Sequence, residues 1–349
     1  MSSHPKTDTH GWIIVTVLIS RMDSRVAMQN LIVRKLLPAA MTLPAPLQRR
    51  LETMAAEFLN PEHAGMLDFS SPVGEPALTA PDSISWLIFK NPLVLFIGGI
   101  TAVILELAEP RVRAGVWNHT TFRSDPIRRI QRTGFAAMIT VYGPRSEAET
   151  LIARVRRIHA AIHGMTPDAI AYRADDPQLL AWVHATASFG FLEAYKAYVH
   201  RLSPQECDRC FAEGVRSARM YGAETVPASQ AEMTALFEKM TGTLESSPVL
   251  LEFLDIMERT SLLPYPFNRM QRMLVKAAVA ILPTSVHEQL GLKERWRLGS
   301  WERPLIAQLG ILADRTMIRS SPAIQACRRM GLADDYLYSR AAARFSGKN

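Results

Sequence analysis

The chain has 349 residues, of which 48% are hydrophobic and 21% are charged, a composition typical of a globular protein with a sizeable core. Its 40 Lys and Arg residues exceed its 33 Asp and Glu residues, which gives a formal net charge of +7. The basic residues are scattered, without a run of five and without an aromatic RNA-binding motif, so we expect no nucleic-acid partner; anionic lipid or a cofactor that carries carboxylates suits the charge better.

Residues 1–25 are predicted to form a flexible, loosely attached leader. The apolar run WIIVTVLIS within it has nine residues, which is too short to cross a bilayer, and no small-residue cleavage site follows it. This apolar run is compatible with peripheral contact with a membrane. From VAMQNLIVRKLLP onward the pattern becomes helical, and residues 26–84 are predicted to be N-terminal helices followed by a linker rich in Pro, Gly and Ser.

The stretch NPLVLFIGGITAVILELA, residues 91–108, is predicted to be a buried helix that Pro110 stops. It contains Pro92, a pair of glycines and Glu106, and its uninterrupted apolar centre has thirteen residues. These features favour the core of a soluble protein over a membrane span. We therefore expect the protein in the cytoplasm. Association with the inner face of a membrane is compatible with this expectation.

Start signals for further helices occur at Asp125-Pro126, Ser146, Asp176-Pro177 and Ser203-Pro204, because Asp and Ser cap helices and Pro suits a first turn. Strand signals are sparse. The sequence predicts an all-α fold with a single large multi-helix domain, on which residues 316–349 pack as a C-terminal extension. The predicted helices lie at about 45–59, 126–142, 145–163, 176–200, 204–221, 229–242, 247–259, 267–282, 284–291 and 302–314.

Several familiar catalytic motifs are missing from the sequence. There is no dinucleotide-binding fingerprint, no Walker loop and no Gly-x-Ser-x-Gly elbow. HEQLG at 287–291 has Gly where a zinc protease needs its second His, and no His has a Glu three residues before it, as a di-iron bundle requires. Three cysteines are too few for a secreted disulfide scaffold, and Cys207 and Cys210 are interpreted as small helical residues one turn apart.

Histidines and arginines on neighbouring predicted helices remain as candidates. His159 and His163 are spaced as one helical turn, and His184 lies in the middle of an apolar helix. Imidazole is the commonest metal ligand, but a His in an apolar helix is more often a hydrogen-bonded core residue. At the predicted helix end, a charge on His163 would suit the helix dipole, which favours a structural role there.

The stretch RRIQRT places Arg129, Arg132 and Thr133 on one face of a helix. Two guanidiniums and a hydroxyl that point the same way need a partner. One interpretation is that they pair with Asp125, Glu147 or Asp176 on neighbouring elements; the other is that they face a bound group.

The order of the motifs NHTTF, DPIRRIQRT, VYG, RxxH, YRADDP and WVHAT between residues 104 and 200 resembles the bacterial and fungal family that includes the ER-bound oxygenase MpaB and the latex-clearing protein, a rubber oxygenase. The resemblance covers about residues 85–315, which we take as the catalytic domain. It implies a helical fold that encloses a pocket for haem b. It also implies oxidative cleavage of carbon–carbon double bonds in an apolar, isoprenoid-like substrate by O2.

The resemblance also suggests roles for individual residues. The family's distal Arg-x-x-Lys-Thr motif matches Arg129 to Thr133, but Arg132 stands where the family has lysine. A deprotonated lysine amine can ligate iron, whereas a guanidinium stays charged and is a very poor ligand. Arg129 is then expected beside a haem propionate or bound oxygen, and Arg132 and Thr133 are expected in the distal pocket.

His159 is the best positional match to the family's axial histidine, followed by His184 and then His163. His184 and His119 are candidates for the wall of the cofactor pocket, although His119 suits a purely structural role equally well. Glu106 is the first candidate for a carboxylate near the distal face, ahead of Glu109, because a carboxylate that ends an apolar helix must be paired, neutral or functional.

Two other readings stay open at this point. The first is an all-α apolar-ligand-binding or scaffold protein without redox chemistry. Arg132 in place of the family's lysine is compatible with this interpretation. The second is a non-haem metal hydrolase or oxygenase that uses His159, His163 and His184. The sequence does not indicate an oligomeric state.

Overall fold

The computed structural model describes residues 38–59, 67–260, 267–292 and 294–345. The chain divides into two compact units, Met1–Pro38 and Ala39–Asn349, and nearly all the described residues belong to the second. The predicted leader at 1–25 and the first predicted helix after it lie outside the described residues. The described part of the chain is built from α-helices with one two-stranded sheet, so the predicted all-α fold is confirmed.

The helices and strands follow one another with short connections. Two 3₁₀ turns occur at Phe267–Met270 and Glu294–Trp296, and the two strands are His163–Met165 (β1) and Ala171–Arg173 (β2). The α-helices of the described residues are α1 (Ala45–Leu59), α2 (Ile84–Phe89), α3 (Pro92–Ala108), α4 (Pro110–His119), α5 (Pro126–Tyr142), α6 (Arg145–Ala160), α7 (Pro177–Tyr198), α8 (Pro204–Tyr221), α9 (Gln230–Met240), α10 (Pro248–Arg259), α11 (Gln271–Ala280), α12 (Thr284–Gln289), α13 (Glu302–Arg315), α14 (Pro322–Arg329) and α15 (Tyr336–Phe345).

Local capping explains where several helices begin. The side chains of Asp125 and Asp176 accept hydrogen bonds from backbone N–H groups in the first turns of α5 and α7, and Ser203 forms a capping box at the start of α8. The predicted starts at these three residues are confirmed. Ser146 is not a cap, because α6 begins one residue before it without a side-chain cap bond.

The core is built on α3 and α7, which pack closely along their lengths. Both helices carry glycine where they cross: a Cβ on Gly98 would lie 2.7 Å from Phe191 Cδ1 and 2.8 Å from the carbonyl oxygen of Gly190. The two backbones can meet there because neither glycine carries a side chain. The Trp182 indole N–H donates to the Leu105 carbonyl at 3.2 Å and holds the helices further along.

A second apolar cluster joins α2, α5, α14 and α15 and includes Trp86 and Tyr142. The guanidinium of Arg329, which is fully buried, donates to the carbonyl oxygens of Phe69 and Tyr142, at 2.6 Å each, and of Glu75 at 2.8 Å. These bonds tie α14 to the loop before α2 and to the end of α5. The C-terminal half of α5 is therefore anchored in this cluster, while its N-terminal half extends toward α3 and α6.

A hairpin follows α6, and this corrects the predicted helix at 145–163. The helix ends at Ala160, and His163 lies in β1 opposite Arg173 of β2. Pro167, which cannot donate a backbone hydrogen bond, lies in the connecting turn, and Ala169 closes it with a φ of 58°. The prediction that His159 and His163 are one helical turn apart is therefore wrong.

Among the described residues, no single helix has both the length and the apolar composition needed to cross a membrane. Helices α3 and α4 pass that test only as a pair, and they are bent by 109° where they meet. Pro110 does not simply stop α3. It occupies the first turn of α4, and Glu109 caps that helix by accepting from the Val112 N–H at 2.8 Å.

Candidate functional site

The N-terminal half of α5 presents the predicted Arg129, Arg132 and Thr133. The Arg129 guanidinium donates to the Thr133 hydroxyl, which in turn donates to the Arg129 carbonyl at 2.9 Å. Arg132 donates to the Thr121 hydroxyl at 3.4 Å, before the start of the helix. Arg129 and Thr133 are thus brought together by the helix itself, while Arg132 points toward the segment that precedes it.

The interpretation that these residues pair with Asp125, Glu147 or Asp176 is not what the structure shows. Asp125 caps α5 and pairs with Arg128 at 3.3 Å, and Asp176 caps α7. The charge that acts most strongly on Arg129 comes instead from Glu106 on α3. Burial lowers the pKa of the Arg129 guanidinium, Glu106 opposes that shift, and the like charge of Arg132 adds to it.

Glu106 lies at the last turn of α3, facing Arg129. Burial raises the pKa of its carboxyl to about 7, and the positive charge of Arg129 limits the rise. Among the described residues no hydrogen bond contributes to that pKa. The side chain nevertheless keeps some accessible surface, and α3 and α5 do not pack extensively on each other. Glu106 and Arg129 therefore interact electrostatically from two different helices, and both side chains keep some accessible surface.

His159, on the last turn of α6, belongs to the same cluster. Burial lowers its pKa, the positive charge of Arg129 lowers it further, and Asp175 opposes both. The imidazole is accordingly neutral at neutral pH. Its Nδ1 is buried and has no hydrogen-bond partner among the described residues. A neutral imidazole with an unsatisfied nitrogen is costly in a protein interior unless something binds it.

His184 lies in a separate environment between α7 and α8. Burial alone lowers its pKa to about 4, so this imidazole is also neutral. Its Nε2 is 3.4 Å from the Ser188 hydroxyl, one turn further along α7. The ring rests against Gly214 of α8, where an added Cβ would lie 2.7 Å from Nε2. Ser188 was not predicted from the sequence, although its spacing of four residues from His184 is a usable signal; Gly214, which carries no such signal, was not predicted either.

The other two candidate histidines, His119 and His163, lie outside the cluster of Glu106, Arg129 and His159. His119, at the end of α4, is hydrogen-bonded through Nε2 to the Tyr172 hydroxyl at 3.0 Å, which ties α4 to the hairpin. His163 is exposed on β1. Within the part of the chain that the structure describes, no three His, Cys, Asp or Glu side chains come close enough to hold a metal ion. A non-haem site built from His159, His163 and His184 is therefore not what the structure shows.

An open strip on α3 leads to Glu106. Phe96, Gly99, Val103 and Glu106 follow one another at spacings of three or four residues and all keep accessible surface, whereas most of the helix is buried. A Cβ on Gly99 would meet no atom within 4 Å. Glu106 was predicted from the sequence, whereas the open surroundings of Gly99 were not, because nothing in the local pattern distinguishes Gly99 from its neighbour Gly98.

Taken together, the cluster offers a carboxyl that exchanges its proton near neutral pH, the guanidinium of Arg129 and a neutral imidazole with an unsatisfied nitrogen, while Arg132 is exposed at its edge. Glu109 is not part of it. That carboxylate is committed to capping α4 and to Arg111, whose Nε lies 2.7 Å away.

Comparison with known protein families gives a match over most of the chain. The family model described as the catalytic domain of ER-bound oxygenase mpaB/B' and rubber oxygenase matches residues 86–312. The matched range contains Glu106, Arg129, His159 and His184. No curated protein and no solved structure matches the chain.

Proposed function

Because the chain belongs to the family of the ER-bound oxygenase mpaB/B' and rubber oxygenase catalytic domains, we propose that it is a haem-b-dependent oxygenase that acts with O2 on an apolar, isoprenoid-like unsaturated substrate. The observation that carries the proposal is the convergence of Glu106, Arg129 and His159 from three helices on one partly accessible interior region. Within this cluster the buried Nδ1 of His159 has no hydrogen-bond partner among the described residues, which supports a bound group there.

The residues of the cluster fit haem b in their chemistry. His159 is neutral, and its buried Nδ1 has no hydrogen-bond partner among the described residues, which supports our proposal that it is the axial ligand. Arg129 and Arg132 supply guanidiniums suited to a propionate carboxylate. When bound, haem supplies the capacity to bind and activate O2, which no side chain has. His184 is the second candidate for the ligand, although its Nε2 is already close to Ser188.

The protein's own groups have distinct tasks in this proposal. Glu106 holds or releases a proton at its carboxylate near neutral pH, and Arg129 stabilises the carboxylate after the proton leaves. Arg132 presents a guanidinium, which is a very poor ligand for iron, where the family has lysine. Thr133, held by Arg129, is proposed to keep that guanidinium in one orientation.

The test of the reaction is oxygen uptake by the haem-reconstituted protein with a linear isoprenoid such as squalene. We expect O2 consumption and carbonyl products that carry label from ¹⁸O2. A protein that retains haem but neither consumes O2 nor labels any of several unsaturated hydrocarbons would refute the oxygenase function.

The second candidate is an apolar-ligand-binding protein without redox chemistry. The open strip on α3 favours it independently of haem, and Arg132 in place of lysine is compatible with it. Binding of an isoprenoid without oxygen uptake would support this reading. Peripheral membrane contact through residues 12–20 remains a separate proposal, since that segment lies outside the described residues.

A further inference from the structure

Helix α13 packs on the core with one face. That inner face carries the buried Ile306, Gly310 and Ile311. Gly310 lies so close to α7 that an added Cβ would collide with the carbonyl oxygen of Tyr198. The described part of the fold therefore holds α13 through its inner face.

The outer face of α13 carries an apolar stripe. Trp301, Leu305, Leu309 and Leu312 follow one another at spacings of four, four and three residues, which places them on one side of the helix. Trp301 is 66% exposed, Leu312 38% and Leu305 37%, and Leu309 is partly exposed. Single exposed apolar residues are common on protein surfaces, but an aligned set that includes a tryptophan indicates an interaction surface. We call these four residues the outer stripe.

The charged side chains around the outer stripe are all of one sign. Between residues 297 and 319, every charged side chain that is exposed or partly exposed is an arginine. Arg297, Arg303 and Arg319 are exposed, and Arg315 is partly exposed. Of these, Arg297 pairs at 3.2 Å with Glu294, which lies just before the segment. The helix thus combines an apolar stripe with a positively charged surrounding.

The two acidic residues of the same segment point inward. Glu302 is buried and pairs with Lys276 at 3.2 Å, and Asp314 is buried and pairs with Lys90 at 2.6 Å. The charges of both carboxylates are therefore balanced by lysines of other helices. They do not offset the arginines at the surface.

This combination favours an anionic lipid surface over a second copy of the chain. In a two-fold contact centred on the outer stripe, the arginines of the two copies would meet without accessible acids of the same segment to pair with them. An anionic bilayer offers both kinds of partner, because its phosphates suit guanidiniums and its hydrocarbon boundary suits leucine. Tryptophan suits the level of the lipid head groups, because its ring is apolar and its N–H is polar.

We propose that α13 is a membrane-docking helix, which lies on an anionic lipid surface with the outer stripe inserted at the level of the head groups and with Arg303 and Arg319 against the phosphates. The proposal depends neither on haem nor on the oxygenase function. It also names a surface other than residues 12–20.

The first experiment measures binding of the full chain to vesicles of phosphatidylcholine alone and of phosphatidylcholine mixed with an equal amount of phosphatidylglycerol. We expect binding to the anionic vesicles to be tighter on the order of tenfold or more, and to weaken as salt is added. The double variant Trp301→Ser/Leu305→Ser should weaken binding on the order of tenfold. Val73→Ser is the matched control and should bind as wild type does, because Val73 is 84% exposed but its charged neighbours in sequence, Asp68 and Glu75, are acidic.

The second experiment tests the charges. Arg303→Gln/Arg319→Gln should weaken binding to the anionic vesicles on the order of tenfold. Arg154→Gln/Arg157→Gln removes the same charge from exposed positions on α6 and should have a much smaller effect. Equal effects of the two double variants would show a general attraction of the whole protein and overturn the proposal.

The third experiment reads the position of the helix. The three native cysteines are buried, so an environment-sensitive fluorophore attached to Leu312→Cys marks that position. Its emission should shift to the blue when anionic vesicles are added, and the same label on Val73→Cys should not shift. Circular dichroism verifies that each variant is folded.

Three results would overturn the proposal. The first is a wild-type chain without preference for anionic vesicles. The second is unchanged binding by Trp301→Ser/Leu305→Ser or an unshifted label at position 312, either of which would assign the contact to another part of the chain. The third is a wild-type dimer that Trp301→Ser/Leu305→Ser dissociates and that ignores vesicles, which would assign the outer stripe to a second copy.

Discussion

Replacement of Glu106 by glutamine tests whether this carboxyl is enclosed as the structure indicates. Burial raises its pKa from 4.5 to about 7, so the ionised form is disfavoured in the folded protein. The carboxyl ionises at a lower pH in the unfolded chain than in the folded protein. The free energy of unfolding therefore falls as the pH rises from about 4.5 through 7. The loss levels off above pH 7, at about 3 kcal/mol for the full shift.

Glutamine has the same shape but does not ionise. Glu106→Gln should therefore be more stable than wild type by about 2–3 kcal/mol at pH 8, with the difference shrinking toward zero near pH 4.5. The measurement is the free energy of unfolding in urea at several pH values between these limits. The same variant should lose most oxygenase activity, because glutamine cannot accept a proton.

Glu109→Gln is the control, three residues further along the chain. The Glu109 carboxylate is buried, but it caps α4 and pairs with Arg111, so its replacement should destabilise the protein at pH 8, by about 1 kcal/mol. If the difference in free energy of unfolding between Glu106→Gln and wild type is the same at every pH, Glu106 is solvated. The inference that Glu106 is enclosed beside Arg129 would then be wrong.

Two further substitutions test other parts of the site. Arg132→Lys introduces an amine that can ligate iron once deprotonated, so the visible spectrum of the haem-loaded variant should change as the pH rises. Arg132→Gln, the control, should show no such change. Identical spectra for the two variants would contradict the proposal that Arg132 lies near the iron. Gly214→Ala should lower Tm by several degrees, because its Cβ would lie 2.7 Å from His184 Nε2; a neutral effect would show that the ring does not rest on α8.

The parts of the fold that sequence predicted well are those that local signals determine. Asp125, Asp176 and Ser203 each precede a proline at the first helical position, and this combination alone sets where the helices begin. The hairpin after α6 was missed because its strands are only three residues long and its stability depends on Tyr172, which is buried against α4 and bonded to His119. No alternation pattern of three residues is long enough to predict a strand.

The site was predictable only in part for a related reason. Spacing placed Arg129 and Thr133 on one face, and the resemblance suggested Glu106 and His159, but their mutual electrostatic influence depends on how α3, α5 and α6 meet. The sequence pattern does not distinguish Gly98 from Gly99. Only tertiary packing shows that one fills a helix crossing and the other faces open space.

Haem retention by the histidine variants tests the central claim most directly. Wild type, His159→Ala and His184→Ala are purified, supplied with haemin, and compared by their Soret absorption and iron content, with circular dichroism to verify folding. We predict one haem per wild-type chain, loss of haem in folded His159→Ala, and retention in His184→Ala. A folded wild-type protein that takes up neither iron nor haemin, or a His159→Ala variant with the wild-type spectrum, would contradict this account.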